Sequence, residues 1–241
     1  MERNIVIYQP WGGLGDNLAH SIIPELCSQN NIKCYLSKHN AYRNEDINNF
    51  VWELNPYIEK EKIDFTDLSW LDRCRQFENN SVNHIQVLQK VYGFDTDYEY
   101  PKIYYTPRYI EEYKDKVLIN FTAHSIQHEY DLQKIENSIA SLGIKKQDIV
   151  YITNSKIGYS KDFCKNENIS TIDINDLKTY SDVIASAKQF VALFSGQSVL
   201  ASTIKYQTDS DVKIDIITPT RYLPHINNTY TFSNTNYIEI K

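Results

Sequence analysis

The chain has 241 residues, 41% hydrophobic and 23% charged, with a formal net charge of -6. That length admits one large α/β domain or two compact halves. The acidic balance supplies no global attraction for nucleic acid or anionic membrane. Cys27, Cys34, Cys74 and Cys164 form no C-x-x-C pair, which argues against a zinc knuckle or thioredoxin-like motif and for reduced, mostly buried thiols.

In chain order, Ile5 to Tyr8 reads as a β-branched strand, Gly12, Gly13 and Gly15 as a turn, and Leu18, Ile22, Ile23 and Leu26 as one face of a helix. Ile32 to Ser37 is a second strand, spaced for a parallel βαβ unit. Arg43 to Trp52 is helical and ends before Asn55-Pro56, since proline forces the preceding residue out of the α region. Ser81 to Tyr92 is a further helix. From Asp95 to Asp115, prolines and tyrosines without apolar period mark the passage between two halves.

The second half alternates. Val117–Phe121, Ile149–Thr153, Ser170–Ile174, Phe190–Phe194 and Val212–Ile217 read as strands; Leu132–Leu142, Asp176–Ala187 and Val199–Tyr206 read as helices. Such alternation predicts a parallel sheet with helices on both faces. The expected division is 1-105 and 106-241, with the C-terminal tail able to pack back on the first part.

Glycines after a first strand let a ligand approach a helix N-terminus. In Gly13-Leu14-Gly15-Asp16-Asn17-Leu18, leucine stands where a dinucleotide fingerprint needs its third glycine, and the second strand ends without a ribose-binding acid. No Gly-Lys-Ser/Thr follows, which excludes a Walker loop. Asp16 would repel phosphate, so it suits a proton-donating ligand such as a sugar hydroxyl; equally, aspartate is a favoured N-cap. His20, four residues on, shares its helix face. Trp11 could stack on a sugar or close the site.

Trp11-Gly12-Gly13-Leu14-Gly15-Asp16-Asn17-Leu18 followed by Ile22-Ile23-Pro24-Glu25-Leu26 resembles the N-terminal signature of glycosyltransferase family 9, the bacterial ADP-heptose heptosyltransferase-like family. Phe190-Val191-Ala192-Leu193-Phe194-Ser195-Gly196-Gln197-Ser198 resembles that family's donor-side turn. Two departures stand out: Phe194 replaces the aspartate before Ser-Gly, and Asn120 to His128 contains no phosphate-binding lysine, for which His124 or His128 would stand in.

The resemblance implies a GT-B-like α/β fold, with two Rossmann-like domains whose parallel sheets face a central cleft, the acceptor-side domain first and the nucleotide-sugar domain second. It implies a metal-independent, inverting glycosyltransferase with no cofactor beyond its nucleotide-sugar co-substrate, acting on a glycan or lipid-linked acceptor in surface polysaccharide biosynthesis. Asp16 becomes the catalytic base, with Trp11, Gly13, Gly15, Asn17 and His20 against the acceptor. Ser195, Gly196, Gln197, Ser198, His124, Ser125 and His128 fall to the donor nucleotide. Asp95-Thr96-Asp97, the nearest approach to a metal-binding DxD, reads as a solvated turn. With no apolar h-region and no bilayer-length apolar run, the expectation is a cytoplasmic protein, with room for peripheral membrane association. Loss of the acid at Phe194 and of the lysine keeps a noncatalytic glycan- or nucleotide-binding role as the alternative.

Overall fold

The computed structural model describes residues 3–77, 82–123, 130–154, 170–224 and 229–240. The chain forms two compact units, Met1–Tyr105 with Asn228–Tyr230, and Thr106–Asn227 with Thr231–Lys241.

In the first unit, strand β1 (Asn4–Ile7) pairs in parallel with β2 (Lys33–Ser37), and β2 with the two-residue β3 (Lys62–Ile63), in the order β1-β2-β3. The single helix expected after the glycine turn is two helices, α1 (Leu14–His20) and α2 (Ile23–Gln29). Pro24 sits in the first turn of α2, where its missing N–H costs nothing; within one continuous helix it would leave the His20 carbonyl without a donor. Helix α3 (Glu45–Ile47) runs on into a π-helical turn at Asn48–Glu53 and stops before Pro56. Helix α4 (Trp70–Phe77) and strand β3 are not among the elements expected from the sequence. Helix α5 (His84–Val91) starts at a capping box in which Asn83 and Gln86 satisfy each other's backbone N–H groups.

In the second unit, β4 (Val117–Asn120), β5 (Ile149–Thr153), β6 (Ser170–Asp173), β7 (Gln189–Leu193), β8 (Lys213–Thr218) and β9 (Asn236–Glu239) form a parallel sheet in the order β6-β5-β4-β7-β8-β9. Strand β9, unexpected from the sequence, is the far edge beside β8. Helices α6 (Leu132–Ser141), α7 (Leu177–Ser186) and α8 (Gly196–Thr208) complete the alternation. Val117, Ile119, Phe121, Tyr151, Val191, Leu193 and Ile217 share one sheet face in a core cluster with Ile135 and Ile139 of α6. The alternate residues Leu118, Phe190, Ala192 and Ile216 are buried as well, so β4 and β7 lie in the sheet interior, covered on both faces.

The segment 106–110 is fixed to α7 by Asp182. This buried carboxylate accepts from the Arg108 backbone N–H (2.8 Å) and from its guanidinium (2.9 and 3.0 Å). Cys27, Cys34 and Cys74 are buried free thiols, and Cys164 lies outside the described residues.

Candidate functional site

The first candidate site lies at the carboxyl end of β1, where open α/β sheets bind ligands. Buried Gln9 ties the turn down: its side-chain amide donates to the Trp11 carbonyl and accepts from the Trp11 N–H. The segment from Ala41 to Arg43 runs alongside, Ala41 N–H to Gln9 O at 2.9 Å and Arg43 N–H to Gly12 O at 2.8 Å. A Cβ at Gly12 would stand 2.8 Å from the Arg43 nitrogen, so close backbone approach is what requires glycine there.

Gly13, in extended backbone (φ -69, ψ 152), is the N-cap of α1, which puts Asp16 three residues into the helix. Asp16 is therefore not the cap. Its carboxylate turns back toward Gly13, whose backbone N–H favours the charged form. A Cβ on Gly13 would lie 2.5 Å from Asp16 Oδ2, so glycine here leaves room for the acid.

Asp16 is half-buried, and its Oδ1 accepts from the Tyr230 hydroxyl at 3.1 Å. Burial raises its pKa above the usual carboxylate value. The Tyr230 hydrogen bond, the nearby Arg43 charge and the backbone N–H groups of Gly13 and Asp16 pull the other way. Burial and the adjacent carboxylate hold the Tyr230 hydroxyl well above the ordinary phenol range, so it remains a donor. The result is an acid held by fixed donors, with a proton affinity lifted in the direction that suits a base.

The neighbours of Asp16 divide into those that face outward and those spent on structure. Trp11 is 41% exposed and rests edge-to-face on Trp70, ring centroids 4.8 Å apart. Gly15 is buried within α1. Asn17 is fully buried and committed: its amide donates to Gly13 O (2.9 Å), and its Oδ1 accepts from Trp52 Nε1 (2.8 Å). His20 is also buried, with Nδ1 bonded to the Asp16 backbone carbonyl at 3.0 Å rather than to its carboxylate. It stacks on Trp70 (5.8 Å) and meets Tyr92 edge-on (6.1 Å). Burial lowers its pKa to about 4, so the ring is neutral near pH 7. Asn17 and His20 thus buttress the turn from behind; the shared helix face proposed for Asp16 and His20 does not bring their side chains together.

Four residues that the sequence did not single out complete this site: Tyr230, Arg43, Trp70 and His84. Tyr230 meets His84 edge-on at 5.4 Å, and His84 meets Trp70 at 6.1 Å. No spacing rule reaches Tyr230, which lies 214 residues from Asp16.

The second candidate site belongs to the second unit. Relabelled from β4, the strand order β6-β5-β4-β7-β8-β9 is 3-2-1-4-5-6, whose reversal point lies between β4 and β7. Ligands bind outside the carboxyl ends of strands at such a point. The Ser195-Gly196 turn follows β7 there. Ser195 caps α8, its hydroxyl accepting from Gln197 N–H (3.3 Å), while the buried Ser198 hydroxyl donates to Ser195 O (2.6 Å). Ser198 is thereby a cap partner inside the turn. Gln197 Oε1 is buried without a hydrogen-bond partner among the described residues. His124, Ser125 and His128 lie outside the described residues.

Phe194, where an acid was expected, is buried and stacked on Tyr222 (5.0 Å, 16° between planes); Arg221 lies over the other ring (4.7 Å) and donates to its hydroxyl (2.7 Å). Arg221 is in this way engaged beside Phe194. In the Asp95-Thr96-Asp97 segment, both acids are exposed and Thr96 donates to Gln89 (2.6 Å), as a solvated turn would.

No family model and no curated protein matches the sequence. Solved structures do. The iron-containing dodecameric glycosyltransferase TibC of enterotoxigenic E. coli matches 98% of this chain and 64% of its own, at 17% identity and TM-score 0.62. E. coli heptosyltransferase WaaC, solved with ADP, matches 99% of this chain and 93% of its own (10% identity, TM-score 0.57). The family 9 glycosyl transferase of Veillonella parvula matches 98% and 85% (12% identity, TM-score 0.54).

The fold is that of the family 9 heptosyltransferases. The resemblance carried by the glycine turn therefore holds at the level of fold. TibC has also been solved in complex with ADP-D-beta-D-heptose, and the present chain spans 62% to 64% of TibC's length. Among the described residues no three His, Cys, Asp or Glu side chains gather as metal ligands. No helix among them is long and apolar enough to cross a membrane.

Proposed function

We propose that this heptosyltransferase-fold chain is a glycosyltransferase that moves a sugar from a nucleotide-activated donor to an acceptor hydroxyl, with Asp16 as the general base. The single observation that carries this reading is the Asp16 carboxylate itself. It is half-buried at the end of β1, held by Tyr230 and by the Gly13 N–H, and raised in proton affinity by burial. A structural cap would gain nothing from that burial, whereas a base needs it.

The base takes the proton of the acceptor hydroxyl as its oxygen attacks the anomeric carbon and the bond to the nucleoside diphosphate breaks, inverting the configuration. Trp11, with its exposed ring, gives a sugar an apolar face to lie on. The diphosphate is assigned to the β4/β7 reversal point, where the first turn of α8 offers a helix-dipole positive end and Gln197 an unpartnered amide oxygen for a donor hydroxyl. A first unit for the acceptor and a second for the donor, inverting metal-independent transfer, a glycan or lipid-linked acceptor and a place in cytoplasmic polysaccharide biosynthesis complete the proposal.

One observation favours a second reading, a noncatalytic glycan- or nucleotide-binding protein: Phe194 puts a closed aromatic stack where a donor-binding acid was expected. Thermal-shift titration with ADP, UDP, GDP and their sugar conjugates separates the two, followed by donor turnover with wild-type and Asp16→Asn protein. The transferase reading expects a nucleotide-dependent rise in melting temperature and a loss of roughly a hundredfold or more in turnover for Asp16→Asn. Equal turnover by both proteins sinks the role of Asp16; binding without any turnover favours the second reading.

A further inference from the structure

Asp16 has two oxygens and two different environments. Oδ2 is turned to Gly13. Oδ1 receives the Tyr230 hydroxyl, and that hydroxyl is itself held in place. The carbonyl of Thr229 accepts from the His84 N–H at 2.8 Å, at the first residue of α5, and the Tyr230 ring lies edge-on to His84. Two residues next to each other in sequence thus clamp onto the start of α5, and the second aims its hydroxyl at the acid of α1.

We infer that Tyr230 is the positioning residue for Asp16, holding the carboxylate in one orientation and in its ionised form. The inference rests on the reading of Asp16 as a base and adds the group that makes it usable. Without this donor the half-buried carboxylate would lose a hydrogen bond to its charged form, and its pKa would rise further. One Tyr230 bond fixes the carboxylate plane and leaves further lone pairs on its oxygens for the incoming proton. Arg43 acts on Asp16 from the 41–43 segment, His84 of α5 and Cys74 of α4 face Tyr230, and His20 lies behind, bonded to the Asp16 carbonyl. His84 and His20 are neutral near pH 7, so Arg43 is the one charge among these groups.

The test is a carbon-13 NMR titration of aspartate carboxyls in the full chain, with Asp16→Asn identifying the Asp16 signal. In Tyr230→Phe the Asp16 midpoint moves up by about one pH unit, the scale of a hydrogen bond to a charged group. An unmoved midpoint overturns the inference. If Tyr230→Phe does not fold, the wild-type protein decides: with ring-labelled tyrosine, the Tyr230 signal shifts at the Asp16 midpoint and loses that inflection in Asp16→Asn. A Tyr230 signal indifferent to Asp16 titration equally overturns it. Donor turnover by Asp16→Asn is read separately, so failure of the base assignment and failure of the Tyr230 assignment give different results.

Discussion

The hydroxyl of Tyr230 donates to Asp16 across 214 residues of sequence, and the two residues share one compact unit. A short turn at the start of the chain and a short segment near its end make a single polar pair. Asp16 is desolvated enough to hold its proton more tightly than a solvated carboxylate, and Tyr230 keeps it in place.

Asp16→Asn is expected to gain relative stability as pH rises. The folded carboxyl titrates above its ordinary value, so the native state disfavours the charge; that cost is present above the folded pKa and vanishes as pH falls below the unfolded one. The amide removes the cost but turns one oxygen into a donor that can no longer accept from Gly13 N–H. Urea unfolding followed upward from below the ordinary value of 3.8 to neutral pH should show the difference moving toward the variant as pH rises. Movement in the opposite direction contradicts the desolvated carboxylate.

Gly12→Ala and Gly13→Ala should fail in different ways. At Gly12 the new methyl meets the Arg43 backbone, which cannot swing aside, and a loss of about 2 kcal/mol is expected. At Gly13 it meets only the Asp16 side chain, which can rotate away, so stability falls less while turnover falls more. Chemical denaturation paired with donor turnover checks this, and equal losses in both assays for both variants would refute the distinction.

Acid should destabilise the first unit well before its carboxylates are protonated. Burial depresses His20 to about 4 and His84 to about 3 from 6.5, and protons then bind the unfolded chain preferentially. Their contribution to stability is complete above 6.5 and is lost as pH falls from there toward those folded values, on the order of 3 kcal/mol for His20 and about 5 kcal/mol for His84. Urea midpoints followed downward from neutral pH should drop steeply in wild type and less in His20→Phe. A wild-type midpoint that stays flat over this window would show both rings already solvated.

Phe194→Asp, which restores the acid of the family pattern, is not expected to restore a donor contact. The side chain is buried and its ring packs on Tyr222, so the variant loses a stacked pair and buries a charge; a cost of about 3 kcal/mol or more follows. Calorimetry and nucleotide titration together check it: a stable variant with tighter nucleotide binding would show that the segment can open.

The sequence by itself determined the elements whose signals are local. The short apolar runs of β1, β4, β5 and β7 predict buried parallel strands, and the glycines after β1 and the Ser-Gly after β7 locate both candidate turns, because turns and periods are written in consecutive residues. Strand β3, with two residues, and strand β9, polar at an edge, have no such signature. Local pattern also misread one helix as continuous across Pro24, a residue that helical spacing counts but helical hydrogen bonding cannot use. Within the site, Asp16 is legible and its environment is not. Whether it caps a helix or serves as a base depends on Gly13 taking the cap position, on how much water reaches the carboxylate, and on the distant Tyr230 hydroxyl. Likewise His20 has the right spacing from Asp16 but the wrong direction, since it turns into a bed of aromatic rings from α4 and the end of α5. Proton affinity is set by burial and by partners brought together in space, which only the tertiary structure decides.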